Sequence, residues 1–274
     1  MVRWKGAAAA VAVVAVVSCG KQAPKENQQP LMSSIPDAIL GTAPPPRGQT
    51  VQYVPGDTLT RGYLAVPKGE GPFPALILIH EWNGLVDRIR QMADAFADRG
   101  YVTLAADLYQ GRTGTTRDEN MALVNETHAH PDAVVANLNA AQHFLRRRPD
   151  VSGKIGVMGW CFGGGIALSY GLDGDQHDAT AMFYGSLIED PAKLAQLHHP
   201  IYGTFAALDQ GIPKDQVERF AATLDSLGID NDIHVYDAVN HGFWLRVNED
   251  RATREAPAKD AWERLTKFLK RTLQ

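Results

Sequence analysis

The sequence has little cysteine: Cys19 and Cys161 are the only two in 274 residues. A disulfide scaffold is excluded, because one bridge at most can form. Positive charge is also in short supply. The formal net charge is −4, and it is unevenly spread. Residues 1–47 hold Arg3, Lys5, Lys21, Lys25 and Arg47 against Glu26 and Asp37, which leaves −7 on the rest. A body that acidic repels phosphate backbones, and no basic stripe offsets it, which argues against nucleic-acid binding. No internal repeat is present, and no apolar run reaches the roughly 20 residues that a membrane-spanning helix needs. With 45% hydrophobic and 21% charged residues, the chain is neither disordered throughout nor a multi-span membrane protein. Its length allows one large domain or two small ones.

What is present begins with an address. Arg3 and Lys5 form a short positive head, and residues 6–17 follow as small or apolar side chains. That length suits the core of a signal peptide. The run ends Val16-Val17-Ser18-Cys19, which resembles the lipobox of bacterial lipoproteins. The resemblance implies cleavage after residue 18, lipidation of Cys19 and a membrane anchor in the bacterial cell envelope, on the periplasmic face or at the outer membrane. Several acyl chains, at about 0.8 kcal/mol per buried methylene, hold a protein firmly on a bilayer. An ordinary secretory signal cut near Ser18 is the alternative. Residues 19–50 contain Pro24, Pro30, Pro36 and Pro44-Pro45-Pro46 with few apolar residues, and read as an extended tether. The expected division is therefore 1–18 signal, 19–50 lipidated cysteine and tether, and 51–274 folded domain. With Cys19 lipidated, Cys161 is the one thiol left.

The body alternates strand and helix. Residues 51–53 and 59–66 suggest a hairpin, and 75–80 is a continuous apolar run typical of a strand buried on both faces. Helical spacing follows over 87–99, then a strand over 101–105 and a long helix over 131–148. Further strands are expected at 154–158, 181–184, 201–207 and 232–236, with helices at 162–170, 191–197, 213–227 and 259–273. This order predicts an α/β fold, a mostly parallel sheet with helices on both faces.

The strongest local signal is Gly159-Trp160-Cys161-Phe162-Gly163, followed by Gly164 and Gly165. It lies at a strand-to-helix turn, where a G-x-nucleophile-x-G motif lifts the central side chain clear of the sheet. Glycines two before and two after remove the side chains that would clash. The nearby helix N-terminus favours a thiolate and a developing oxyanion. For the pentapeptide alone, the competing reading is a buried structural cysteine. Partners for a triad must follow in the order acid, then histidine. Asp209 comes just after the strand at 201–207, and His241 follows the strand at 232–236, in Asn240-His241-Gly242-Phe243. Both fall at the C-terminal ends of strands, where ligands sit in open parallel sheets.

These residues, with His80-Glu81-Trp82-Asn83-Gly84 and Asp107-Leu108-Tyr109, resemble the dienelactone hydrolase family of the α/β-hydrolase superfamily. The resemblance runs from about residue 50 to 272. It implies hydrolysis of a carboxylic ester or lactone by a Cys161–His241–Asp209 triad, through an acyl-enzyme and with no cofactor or metal. It also implies that Glu81 contacts the resting cysteine, and that the backbone N–H groups of Trp82 and Phe162 form the oxyanion hole. The chemistry agrees, because a free thiol with a pKa near about 8.5 needs a base at neutral pH.

The family's carboxylate-binding arginines match less well. Arg112 sits in the right region, but the second position holds Leu245, with Arg246 one residue beyond. The expectation is that Arg112 outweighs Arg246 in reading an anionic substrate. Trp160 and Phe243, beside the catalytic positions, are candidates for an apolar substrate pocket or for core packing. His128-Ala129-His130 and His198-His199 lack a third metal ligand at a characteristic spacing. A thioesterase or broad esterase on the same fold, and a lipoprotein that binds without turnover, are the competing functions.

Overall fold

The computed structural model describes residues 1–4, 6 and 35–274. Cys19, the proposed signal core from residue 7 and the tether up to residue 34 lie outside the described residues. Among the described residues no helix is long and apolar enough to cross a membrane.

Eight strands form one sheet: β1 (Gln49–Val51), β2 (Gly62–Ala65), β3 (Phe73–Ile79), β4 (Val102–Ala106), β5 (Val151–Trp160), β6 (Ala179–Phe183), β7 (Ile201–Ala206) and β8 (Asn231–Tyr236). Their order is β1-β2-β4-β3-β5-β6-β7-β8. The first two strands join antiparallel, and every later pairing is parallel. The expected α/β architecture is thus present. Helices α1 (Asp37–Leu40), α2 (Asp87–Ala97), α3 (Arg117–His128), α4 (Pro131–Arg146), α5 (Phe162–Asp173), α6 (Pro191–Leu194), α7 (Lys214–Ser226) and α8 (Arg251–Leu273) complete it.

Alternation along the strands divides the core. In β3, Leu76 and Leu78 face one layer with Phe96 of α2 and Trp262 and Leu265 of α8. Ala75, Ile77 and Ile79 face the other, with Leu138, Ala141 and Leu145 of α4 and Ala167 of α5. Burial on both faces is why β3, β4, β6 and β7 read as continuous apolar runs. Register then sets the site. Ile79 pairs with both Ala106 and Gly159, and Trp160 pairs with Phe183, so the turns after β3, β4, β5 and β6 open on one edge of the sheet.

Three expectations change. The tether does not extend to residue 50, because residues 35–50 lie on the domain. Ile39 is fully buried, Gln91 donates to the carbonyls of Ala43 and Pro44, and Arg47 N–H donates to Asp94 at 2.8 Å. Helix α3 was not expected, since Leu123 is its one buried large apolar side chain. It is held by a capping box in which Thr116 accepts from Glu119 N–H and Glu119 reaches back to Thr116 N–H. Helix α8 starts eight residues before the expected 259, with Asp250 accepting from Thr253 N–H as the cap and Pro257 inside.

Candidate active site

Strand β5 ends at Trp160 and helix α5 begins at Phe162, so Cys161 alone makes the turn. Its φ of +53° and ψ of −117° place an L-residue in a strained region. Such a conformation costs on the order of 1–3 kcal/mol and persists only when the surroundings enforce it. Cys161 N–H donates to the Phe183 carbonyl at 2.9 Å, and the carbonyl of Cys161 accepts from Gly164 and Gly165. A Cβ on Gly159 would collide with the Gly163 carbonyl, and one on Gly163 with the carbonyls of Ile79 and His80. Both positions therefore exclude side chains. The Cys161 thiol is free and partly exposed. Phe162 is the first residue of α5, so its N–H has no intrahelical partner.

His241 and Asp209 come from the turns after β8 and β7. The His241 Nδ1–H donates to Asp209 Oδ2 at 2.6 Å. Asp209 is itself fixed, since its Oδ1 accepts from the N–H groups of Gly211 and Ile212 at 2.8 and 3.3 Å. Burial opposes a charge on the imidazole, but hydrogen bonds to Asp209 and Cys161 outweigh it and hold the His241 pKa up at about 10. Burial likewise opposes the Asp209 carboxylate, and its hydrogen bond with His241 and the two backbone donors still draw its pKa below 3.8. The expected trio therefore converges.

Glu81 is buried, and its Oε1 has no hydrogen-bond partner. Burial pushes its carboxyl up, while Arg246, then His241 and Arg88, pull it back. Arg246 Nη2 lies 3.7 Å from Glu81 Oε1. The guanidinium folds over Gly242, whose φ is +78°, and this brings it to the site although Leu245 occupies the expected position. Arg112 goes elsewhere. Both its arms hold Glu126, at 2.8 and 2.6 Å, and its Nε–H donates to the Tyr109 carbonyl. This geometry counts against the expectation that Arg112 outweighs Arg246, because Arg112 is engaged away from the site and Arg246 is the arginine beside Glu81. Of the two readings for Trp160 and Phe243, core packing holds and the substrate pocket does not, for both are fully buried. Trp160 stacks on Phe183 and Trp244, and Phe243 packs on Tyr184 and Tyr236.

A cavity of about 560 Å³ opens in front of Cys161 and His241, with Trp82 and Phe162 on its wall. Its other walls include residues that sequence reading missed: Val124 on α3, Val134 on α4, Ile166 on α5, and Tyr184. The capping box Thr116-Arg117-Asp118-Glu119 was the available signal for α3. Tyr184 has a φ of +39°, packs edge-on against His241 at 5.0 Å between ring centres, and buries an unpartnered hydroxyl. Nothing in Phe183-Tyr184-Gly185 marks it in one dimension. The role of His80, read in the sequence only as part of a motif, was missed as well. Its Nδ1–H donates to the Glu81 carbonyl at 2.6 Å and its Nε2 accepts from Leu108 N–H at 3.3 Å. Burial lowers its pKa, so a neutral ring ties the turn after β3 to the turn after β4. Among the described residues no group of three or more His, Cys, Asp or Glu side chains is placed to hold a metal. His128 lines the cavity, whereas His199 pairs through Thr180 with His177.

A strained strand-to-helix turn at the edge of a parallel sheet, with a cysteine at its apex and an acid and a histidine following in chain order, is the arrangement of an α/β-hydrolase. The profile of the dienelactone hydrolase family matches residues 60–273, and the chain belongs to that family, among hydrolases of esters and lactones. The chain is 32% identical over 234 residues to "Protein usf" of Aquifex pyrophilus, covering 82% of this chain and 99% of that one. It is 30% identical over 235 residues to the "Putative carboxymethylenebutenolidase" of Aquifex aeolicus, covering 83% and 100%. Among solved structures, the "Putative Dienelactone Hydrolase" of Klebsiella pneumoniae superposes with a TM-score of 0.66 at 26% identity, covering 77% of this chain and 92% of that one.

Proposed function

We propose that the protein hydrolyses a carboxylic ester or lactone with Cys161 as nucleophile, through a covalent acyl-enzyme. The observation that carries this is the 2.6 Å bond from His241 to Asp209, with Cys161 in the strained turn beside it. His241 Nε2 takes the thiol proton, and Asp209 holds the imidazole in the required tautomer and stabilises its charge. The thiolate adds to the carbonyl carbon, and the negative oxygen accepts from the N–H groups of Trp82 and Phe162. Collapse breaks the carbonyl–alkoxide bond, and the alkoxide leaves with the proton from His241. Water, giving its proton to His241, then adds to the thioester and releases the acid and the free thiol. Glu81 and Arg246 set the charge beside the thiolate.

The test is a set of variants assayed on a chromogenic ester. Cys161→Ala and His241→Ala should each remove about 10⁴-fold of the rate or more, and the double variant should be hardly worse, because the triad acts as a unit. Folded Cys161→Ala protein with the parental rate would eliminate the mechanism.

From residues 6–19 we also infer a lipid anchor on Cys19 in a bacterial cell envelope, at the periplasmic face or the outer membrane. Cells fed a radioactive fatty acid should label the parent and not Cys19→Ala. Equal label on both would remove the anchor from the reading.

A further inference from the structure

We infer that the cavity in front of Cys161 selects neutral esters carrying an apolar acyl chain of medium length, and that it disfavours anionic substrates. The inference rests on the ester-hydrolase reading above and names the substrate class for that site.

Its first support is the wall. Val124, Val134 and Ile166, on three different helices, line the cavity together with Leu187 and Ile212. At about 560 Å³ the space is well within the range of small-molecule sites. The second support is charge. Among the described residues no lysine or arginine lines the cavity, and Asp173 does. Arg112 lines a separate groove with Glu126 and Asp57, and Arg246 faces Glu81. A substrate carboxylate would find no lysine or arginine on the wall, and the one raised imidazole, His241, is already engaged by Asp209, so losing its water is costly.

The two ends of the cavity are not equivalent. Ile166 lies one turn after Phe162 on α5, and the ring of His128, one turn after Val124 on α3, lies 5.5 Å from that of Phe162, so these side chains adjoin the proposed oxyanion donor. Ile212 donates its N–H to Asp209, so the part it lines adjoins the Asp209–His241 pair. The leaving alcohol takes its proton from His241 and departs towards Ile212. The acyl chain then lies among the three helices.

The experiment measures kcat/KM of the whole mature protein on p-nitrophenyl acetate, p-nitrophenyl hexanoate and mono-p-nitrophenyl adipate. Burying a methylene favours binding by about three- to fourfold. Hexanoate should exceed acetate by roughly tenfold or more, short of the full value for four methylenes because burial is incomplete. It should exceed the adipate, equal in length but ending in a carboxylate, by a similar factor. Val134→Trp and Ile166→Trp should bring the hexanoate-to-acetate ratio towards one. Acetate equal to or better than hexanoate, adipate equal to or better than hexanoate, or an unchanged ratio in both folded variants would overturn the inference. Calorimetry of the same esters on Cys161→Ala separates it from the mechanism. Tighter binding of hexanoate than of acetate or adipate, with no turnover by the parent, would sink the hydrolase reading and keep the pocket. Binding without preference would sink the pocket whatever the rate.

Discussion

Arg246 Nη2 lies 3.7 Å from Glu81 Oε1, which joins a carboxylate on the turn after β3 to a guanidinium on the loop after β8, 165 positions later in the chain. The carboxyl is nearly buried and has no hydrogen bond at that oxygen, so burial pushes its pKa up and the arginine is the largest influence opposing that, ahead of His241 and Arg88. Removing one member of such a pair is more damaging than removing both.

Arg246→Met should therefore lower activity and stability, and Glu81→Gln added to it should restore part of the stability. The arginine is more than a third exposed and the contact is not a hydrogen bond, so solvent screening brings the coupling to roughly 1 kcal/mol. Arg112→Ala should change kcat/KM less than about threefold, because its partner Glu126 is an exposed surface residue. Steady-state kinetics and urea unfolding of the single and double variants decide this. An Arg112 effect larger than that of Arg246 would contradict the geometry.

The imidazole of His241 should titrate far above 6.5, near about 10, when followed by nuclear magnetic resonance. Asp209→Asn should bring the value down, since the Asp209 hydrogen bond is the largest influence raising it. The folded value exceeds the unfolded one, so the stabilisation is complete below about 6.5 and is lost as pH rises through about 10. Asp209 is shifted the other way, so its own contribution exists above 3.8. The gap in Tm between the parent and Asp209→Asn should be wider at pH 6 than above pH 10, where only the part that comes from Asp209 and its backbone donors remains. A gap that widens with alkali would be the wrong sign.

Acid should weaken the fold at a second place. His177 and His199 both bond Thr180 Oγ1 at 2.8 Å. Burial lowers their pKa values to about 4 and about 3, with repulsion from His177 adding to the shift of His199. Unfolded imidazoles take protons near 6.5, so the unfolded state binds more protons below that value and stability falls as pH drops towards 4. Replacing both by glutamine should flatten the acid limb of a plot of Tm against pH. An unaltered limb would place the acid-sensitive groups elsewhere.

Gly163→Ala should cost about 1–3 kcal/mol in urea unfolding, the usual range for an overpacked core. A Cβ there meets two backbone carbonyls, which cannot rotate aside as a side chain would. Gly56→Ala offers the control: its φ of +79° is strained, but no atom lies within 4 Å of the new Cβ. A Gly163→Ala loss no larger than the Gly56→Ala loss would show that the turn has slack.

Much of this fold was legible because the strong signals are local. Apolar runs of five to seven residues identify buried strands before any contact is known. The motif Gly159–Gly163 marks the strained turn at Cys161, the candidate nucleophile, because one sharp bend dictates its own glycines. The order Cys161, Asp209, His241 followed from strand ends, which in a parallel sheet all open on one edge. Helix α3 was illegible because it buries little, and its stability sits in a cap rather than in a periodic face.

What only the tertiary structure decided concerns side chains whose partners are distant in sequence. Trp160 and Phe243 flank the candidate catalytic residues along the chain, yet successive side chains leave a strand or tight loop in different directions, and both went into the core. Arg112 stands where the family pattern expects a substrate ligand, but Glu126 on an unforeseen helix captured it. Arg246 stands one position off, and the left-handed backbone of Gly242 leaves room for its guanidinium to fold back towards Glu81. Sequence determined which groups the chain could bring to the edge of the sheet, because backbone periodicity and turn chemistry are local properties. Which charges then met across that edge depended on packing between segments far apart in the chain, and no local pattern carries that information.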